Sequence, residues 1–314
     1  MIKNVVFMGT PDFAVGTLKA LIDSDKYQVQ AVFTQPDKPK GRSGALQMPP
    51  VKSVAVSADI PVYQPVKIRE AKWLDVLRSL QPDVIVVVAF GQIIPKAILD
   101  LPPYGCINVH ASLLPKYRGA APIQWAVING EKESGVTTMR MDEGLDTGDM
   151  ILKEIVPIAP DETGGSLFDK LSQVGAHLLI RTLEQLDEGT AQFERQPVIS
   201  PTAYASMLTK KDGQIDFIRS AREIECRIRG LDPWPGTWTI FRGKHLKIWK
   251  AAAMDACAAS GNAPGTVCTV TKNALYLQTG DGVLSILEVQ PEGKKRMSID
   301  AFLRGYPVQE GEQF

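Results

Sequence analysis

The sequence predicts an α/β protein of two domains, with a doubly wound, mostly parallel sheet in its first half and a smaller β-barrel or sandwich in its second. Three observations lead there. The chain has 314 residues, more than the roughly 250–300 at which a single hydrophobic core stops growing. In the first half, short apolar runs alternate with helical stretches, the order from which helix-covered parallel sheets are built. In the second half, strand-like segments follow one another with turn residues close between them, as in small antiparallel folds.

Taken in order, NVVFM, QAVFT, DVIVVVAF and GCINVH are the strand candidates of the first half. They are apolar throughout instead of alternating, which suits strands buried on both faces. Between them Asp12–Ser24 and Arg69–Leu80 read as helices, the second with Trp73, Leu74, Leu77 and Leu80 at helical spacing. A long helix is expected from Ser166 to Glu188, opened by Ser166 with Asp169 three residues on and ended by Gly189, which can take the left-handed conformation. It closes a first domain at residues 1–189. The stretch TAQFERQPVISPTAYA, with two prolines and no period, makes 190–206 a linker. In the second domain, 207–314, Ser220–Arg229 is a helix opened by the capping box Ser220-x-x-Glu223 and stopped by Gly230. TWTIF and LKIWK around Arg242-Gly243-Lys244, then GTVCTV, ALYLQT and GVLSILEV, are its strands. The expected layout is a Rossmann-like N-terminal domain followed by a smaller, OB-like β-barrel domain.

Composition narrows the function. Thirty-five basic residues balance thirty-five acidic ones, so any contact with nucleic acid must come from local patches. Residues 1–190 carry 19 basic and 22 acidic groups, and residues 191–314 carry 16 and 13. Cys106, Cys226, Cys257 and Cys268 form no CxxC pair and have no histidine at ligand spacing, which argues against a zinc site or a disulfide framework and for a reducing, cytoplasmic location. The start MIKNVVFMGTPDF reads as a first strand, its apolar run too short for a signal peptide. No stretch approaches the roughly 20 apolar residues of a membrane helix. A monomer without membrane attachment is expected.

Two segments could carry chemistry. If GCINVH is a strand, Asn108 and His110 share one face at its carboxyl end, where ligands bind in an open parallel sheet. An imidazole can move a proton near neutrality, and an asparagine amide can donate to a developing oxyanion without changing charge. The spacing is met equally well by a histidine that merely ties its strand end to a loop. A third group could come from MRMDEGLDTGDM, where Asp142, Glu143, Asp146 and Asp149 surround two glycines that allow a tight turn near a ligand. A carboxylate here could orient His110 or accept a proton through water. The same residues also suit a solvated turn.

Together the two segments resemble the formyltetrahydrofolate-dependent transformylases, which carry Asn-x-His at a strand end and a distant Asp in a glycine-rich folate loop. Asn108, His110 and Asp146 stand at those positions. MGTPDFA, HASLLPKYRGAAPIQWA, GLDTGDM and DPWPGTW follow in the family's order and cover most of the chain. The likeness is greatest to members whose formyl acceptor is methionyl initiator tRNA. The resemblance implies a co-substrate, 10-formyltetrahydrofolate, held by Ser112, Leu113, Leu114 and Pro115, with Phe90, Gln92 and Ile94 of AFGQII and the loop from Asp142 to Asp146. It implies no metal. The acceptor α-amine would attack the formyl carbon, Asn108 and protonated His110 would stabilise the oxyanion, and His110 with Asp146 would pass the proton to N10 through water. The basic stretch with Lys38, Lys40 and Arg42 would enter the tRNA acceptor stem.

Other segments read on their own residues. AFGQIIP is a strand end running into a turn, suited to an apolar wall and backbone hydrogen bonds for a pterin, or to core packing of Phe90 and Ile94. Residues 34–52 are too long for a βα loop of roughly 2–6 residues. In the second domain, Lys210-Lys211, the run Arg242, Lys244, Lys247 and Lys250, and Lys294-Lys295-Arg296 are basic. Alternation would place Arg242, Lys244 and Lys250 on one face, with Lys247 off it unless the register shifts. That face would either touch RNA or simply be solvated. His177 and His245 read as surface or packing residues, and Trp234 and Trp238 as residues that pack the second domain instead of stacking a base. Gly9 lacks the GxGxxG that a nicotinamide enzyme would show. Lys116 and Arg118 are expected to face the folate tail or the RNA. A formyltransferase with a small acceptor, such as a glycinamide nucleotide or an amino sugar, and an RNA-binding module without catalysis are the competing functions.

Overall fold

The computed structural model describes residues 1–40, 44–254 and 262–314, so Arg42 and Cys257 lie outside the described residues. In chain order the elements are β1 (Asn4–Gly9), α1 (Asp12–Ile22), β2 (Gln28–Phe33), β3 (Lys38–Lys40), β4 (Ala45–Gln47), α2 (Pro50–Ser57), β5 (Val62–Tyr63), α3 (Ala71–Leu80), β6 (Val84–Val88), α4 (Lys96–Leu99), β7 (Cys106–His110), α5 (Pro122–Ile128), β8 (Glu133–Arg140), β9 (Asp149–Pro157) and α6 (Gly164–Glu188). There follow α7 (Ala221–Gly230), β10 (Thr237–Phe241), β11 (Lys244–Met254), β12 (Val267–Val270), β13 (Leu275–Gln278), β14 (Val283–Pro291), β15 (Met297–Ser298) and α8 (Ile299–Gly305). Two compact units result: residues 1–122, 133–157 and 168–205 form one, and 123–132, 158–167 and 206–314 the other.

The first unit holds a seven-stranded sheet in the order β5-β2-β1-β6-β7-β8-β9. Five strands run parallel, and β8 and β9 are antiparallel additions at the β7 edge. The order reverses at β1, so a crevice opens beyond the carboxyl ends of β1 and β6, the usual binding place of such sheets. The apolar runs behave as expected: all five residues of β6 are buried. Leu77 of α3 is fully buried, and Trp73, Leu74 and Leu80 pack on the same core as Val6, Phe33 and Ile85. Helix α6 lays Leu171, Leu178, Leu179 and Leu183 inward and ends at Gly189 with φ +70°. Its opening differs from expectation. Thr163, not Ser166, is the cap: Thr163 Oγ1 accepts from the Ser166 amide at 3.0 Å, and Ser166 Oγ accepts from the Thr163 amide at 3.0 Å, a reciprocal box that starts the helix at Gly164.

The basic insertion also has structure. Lys38↔Gln47 and Lys40↔Ala45 pair antiparallel, so β3 and β4 form a hairpin inside a stretch expected to be loop. The stretch expected to be a linker is laid back along the first unit, exchanging backbone bonds between Met150 and Glu194 and sending the Ala205 amide to Arg118 O at 2.8 Å.

The second unit is an antiparallel sheet, β10-β11-β14-β13-β12 with β15 beside β14, the β-barrel domain expected. Its core joins Ile224 and Ile228 of α7 and Phe302 of α8 to Leu246, Ile248, Leu277 and Ile286. Helix α7 opens on Ser220, whose Oγ accepts from the Glu223 amide while Glu223 accepts from the Ser220 amide. The β10–β11 turn is a two-residue hairpin with Arg242 at φ +50° and Gly243 at +73°, the mirror-image turn that matches strand twist. Two expectations fail here. Register shifts between Ile248 and Ala251 keep Leu246, Ile248 and Ala251 inward, so Lys247 and Lys250 share the outer face. Arg242 leaves the strand altogether and pairs with Glu312 at 2.8 Å. Trp238 packs, its ring tilted at 50° against His245 with centroids 4.6 Å apart, but Trp234, also expected to pack, is 53% exposed. Among the described residues no helix is long and apolar enough to cross a membrane.

Gly9, at the end of β1, has a packing reason to be glycine. An added Cβ would stand 2.7 Å from the Phe7 ring, 2.9 Å from Ala14 Cβ and 2.9 Å from Val88 O. Gly9→Ala is expected to destabilise the protein by about 1–3 kcal/mol through overpacking. Denaturant unfolding checks this, and an unchanged midpoint would refute it.

Candidate active site

Strand β7 carries Cys106, Asn108 and His110 on one face by alternation. Cys106 packs into the core, and burial pushes its thiol up to about 12, which leaves it no thiolate for chemistry. Asn108 and His110 follow at the strand end, and the chain then doubles back through Ser112–Gly119. In that turn Ser112 Oγ donates to Lys116 O at 2.6 Å, and Thr137 of β8 ties both sides by donating to Ser112 O at 2.7 Å and accepting from the Leu114 amide at 3.0 Å. The Leu114–Pro115 peptide is cis.

The doubling back brings Tyr117 O within 3.0 Å of His110 Nε2. A carbonyl can only accept, so Nε2 carries hydrogen, and Nδ1 is the basic nitrogen of the neutral ring. Nδ1 lies 3.7 Å from Asp146 Oδ1. Asn108 Nδ2 lies 3.5 Å from the same oxygen. The other oxygen, Oδ2, accepts from the Gly119 amide at 2.9 Å. Three distant segments therefore meet at one carboxylate. His110 is 7% exposed and the Asp146 side chain 21%, so the group is sheltered but reachable.

The remaining candidates fall into separate places. Leu113 and Pro115 line a pocket of about 280 Å³ with Tyr117 and the start of β8. Ser112 and Leu114 are buried and serve the turn itself. Phe90 and Ile94 belong to the core of the first unit, so the loop after β6 offers a ligand its backbone and the exposed Ile93 side chain instead of those two. Phe90 O already accepts from Thr10 Oγ1 and Gln35 Nε2 at 3.1 and 3.2 Å. Gln92 braces the same loop, accepting from the Ile68 amide at 2.7 Å and donating to Pro65 O at 2.8 Å. Asp142 accepts from the Gly144 amide and Thr147 Oγ1 at 3.0 and 2.7 Å, and so shapes the loop that presents Asp146. Lys38 is exposed on the hairpin, whose base is held by Lys52: its Nζ donates to Asp37 Oδ2 at 2.7 Å and Gln64 Oε1 at 2.8 Å, holding the Asp37 carboxyl below its usual range.

One residue of this neighbourhood takes a different role from the one expected, and another, Gln196, is not legible from sequence. Arg118, expected to face folate or RNA, is buried and donates to Gln196 Oε1, Pro197 O and Val198 O. Gln196 is buried beside it and reaches the Asp146 loop. Only the fold could join them, since 78 residues separate the pair.

Residues 3–183 match the family described as formyl transferase, and residues 207–307 match its C-terminal domain. The chain is 56% identical over 311 residues to the methionyl-tRNA formyltransferase of Agathobacter rectalis, a match that covers 99% of both chains. It is 53% identical over 308 residues to the one from Pelotomaculum thermopropionicum, covering 98% of this chain and 97% of that one. Among solved structures, the N-formyltransferase of Helicobacter canadensis in complex with folinic acid and dTDP-3-aminofucose has a TM-score of 0.67 at 22% identity, over 93% of this chain and all of that one, a likeness of fold. With both parts of the family matched in order, and relatives this similar along nearly their whole length, the chain belongs to the formyl transferase family.

Proposed function

We propose that the protein transfers the formyl group of 10-formyltetrahydrofolate to the α-amino group of methionyl initiator tRNA. Relatives at 56% and 53% identity bear the name of that activity, and the observation that carries the chemistry is the meeting of Asn108, His110 and Asp146 at one carboxylate. The bond formed joins the amine nitrogen to the formyl carbon, and the bond broken joins that carbon to N10. One proton leaves the amine and one is delivered to N10. Asn108 supplies a neutral N–H for the oxyanion. His110 takes the proton on Nδ1, since Nε2 is held by Tyr117 O, and Asp146 supports the charged ring so formed. The gap of 3.7 Å between ring and carboxylate is open to closure in the loaded complex, as apo catalytic distances often are long.

Holding the co-substrate falls to the loop Phe90–Ile94, the turn Ser112–Pro115 and the loop from Asp142 to Asp146. Acceptor recognition falls to Lys38 and Lys40 of the hairpin, together with Arg42 of the same basic stretch. Leu46 on it is 70% exposed, which gives the arm an apolar contact besides its charges. In the second domain, 207–314, Lys247 and Lys250 on the outer strand face would track the RNA backbone. A small acceptor is the second reading, favoured only by the fold of the sugar-modifying neighbour.

His110→Ala is expected to lower kcat about 10²–10⁴-fold with tRNA affinity retained; turnover near the wild-type value would remove its role. In competition, charged initiator tRNA should be formylated ahead of charged elongator tRNA and glycinamide ribonucleotide. Preference for the small acceptor would overturn the assignment. Apparent tRNA affinity should fall steeply with salt, by about 0.7–0.9 in log–log slope for each phosphate contacted. A flat response would discard the basic hairpin and strand face as RNA contacts.

A further inference from the structure

Asp146 sits at φ +56°, a left-handed conformation that non-glycine residues adopt sparingly. Such a conformation persists when surrounding bonds over-determine it. Asp142 braces the near side of the loop through Gly144 and Thr147, and the main chain at Asp146 itself is held by one further side chain. Gln196 Nε2 donates to Asp146 O at 3.0 Å and to Gly148 O at 2.8 Å, closing the loop on both sides of Thr147. The amide cannot be turned the other way. Its Oε1 accepts from Arg118 Nε at 3.0 Å, and an arginine only donates, so the NH₂ group must face the two carbonyls. Arg118 is held in turn by Pro197 O at 2.7 Å and Val198 O at 3.3 Å. Gln196 is 6% exposed and Arg118 7%, so water competes little for these bonds.

We infer that Gln196, locked by Arg118, is the positioning residue that aims the Asp146 carboxylate at His110 Nδ1 and the Gly119 amide. This rests on the proposed catalytic role of Asp146. The chain of donors runs one way: Arg118 orients Gln196, Gln196 fixes the main chain of residues 146–148, and that main chain sets where the carboxylate stands. Arg118 also joins the two ends of the arrangement, because its neighbour Gly119 donates to Asp146 Oδ2. A carboxylate displaced by a fraction of an ångström loses both that amide and the ring.

The test separates position from chemistry. Gln196→Met keeps length and apolar volume but removes both donors. Gln196→Glu keeps the acceptor for Arg118 and sets an oxygen against the two carbonyls, and it serves where the first variant folds poorly. Gly119 amide exchange, read by hydrogen–deuterium exchange of the surrounding peptide, reports whether Asp146 is in place without any turnover. Exchange should quicken at least about tenfold, the scale of one lost hydrogen bond. In the full formyl-transfer assay kcat should fall about 10- to 100-fold, as misplaced groups do, with KM for the acceptor tRNA little changed. Unaltered Gly119 protection overturns the inference whatever the rate. Lost protection with an unaltered kcat also overturns it if Asp146→Asn is inactive. If Asp146→Asn is itself fully active, the failure belongs to the catalytic reading of Asp146 instead.

Discussion

The arrangement around β7 depends on one hydrogen bond, from His110 Nε2 to Tyr117 O at 3.0 Å. It assigns the ring nitrogens different work, because a nitrogen that donates to a buried carbonyl cannot also take a proton. It also requires the chain to return to the strand end seven residues later, and the turn from Ala111 to Gly119 exists in the form that return demands. The same return delivers the Gly119 amide to Asp146 and points Arg118 inward. The turn proposed to hold folate, the ring orientation and the loop anchoring are thus consequences of one doubling back, tied to β8 through Thr137.

What the sequence made legible follows from how local each signal is. The buried strands were readable because an uninterrupted apolar run has one inexpensive fate in a covered sheet. Asn108 and His110 were readable as a pair because their spacing matches strand alternation, although only the resemblance joined Asp146 to them. Gln196 was not readable at all. It lies in a proline-bearing stretch without period, and its role comes from where that stretch is laid. The cap of α6 was placed three residues late because Gly164-Gly165 looks unlike a helix start, while Thr163 supplies the needed oxygen just before it. The strand bearing Lys247 and Lys250 kept its pattern but lost its phase, since a bulge displaces every later side chain to the other face.

The basic insertion is better built than a solvated loop needs to be. Lys52, Asp37 and Gln64 form a closed set at its base, and Gln64 Nε2 continues to Gln35 O at 2.9 Å. Gln35 Nε2 then reaches Phe90 O in the loop after β6. The foot of the hairpin and the loop expected to hold folate therefore share one run of side-chain amides. A hairpin so anchored loses less entropy on meeting a large ligand than a free loop would.

Charge within the site is sparing, and that sparing use has a reason. Asn108, His110 and Asp146 bring one carboxylate together and no lysine or arginine side chain. Attack by an amine on a formyl carbon creates a cation at nitrogen and an anion at oxygen together. A fixed positive donor in place of Asn108 would stabilise the anion but pair with Asp146 beforehand and repel the cation that forms at nitrogen. A neutral amide avoids both costs, and the Asp146 carboxylate, bonded to the Gly119 amide, would in the proposed mechanism keep its attraction for the proton that the reaction releases. The strength of the arrangement therefore lies in geometry rather than in net charge, which is why the bonds that fix Asp146 matter as much as the carboxylate they fix.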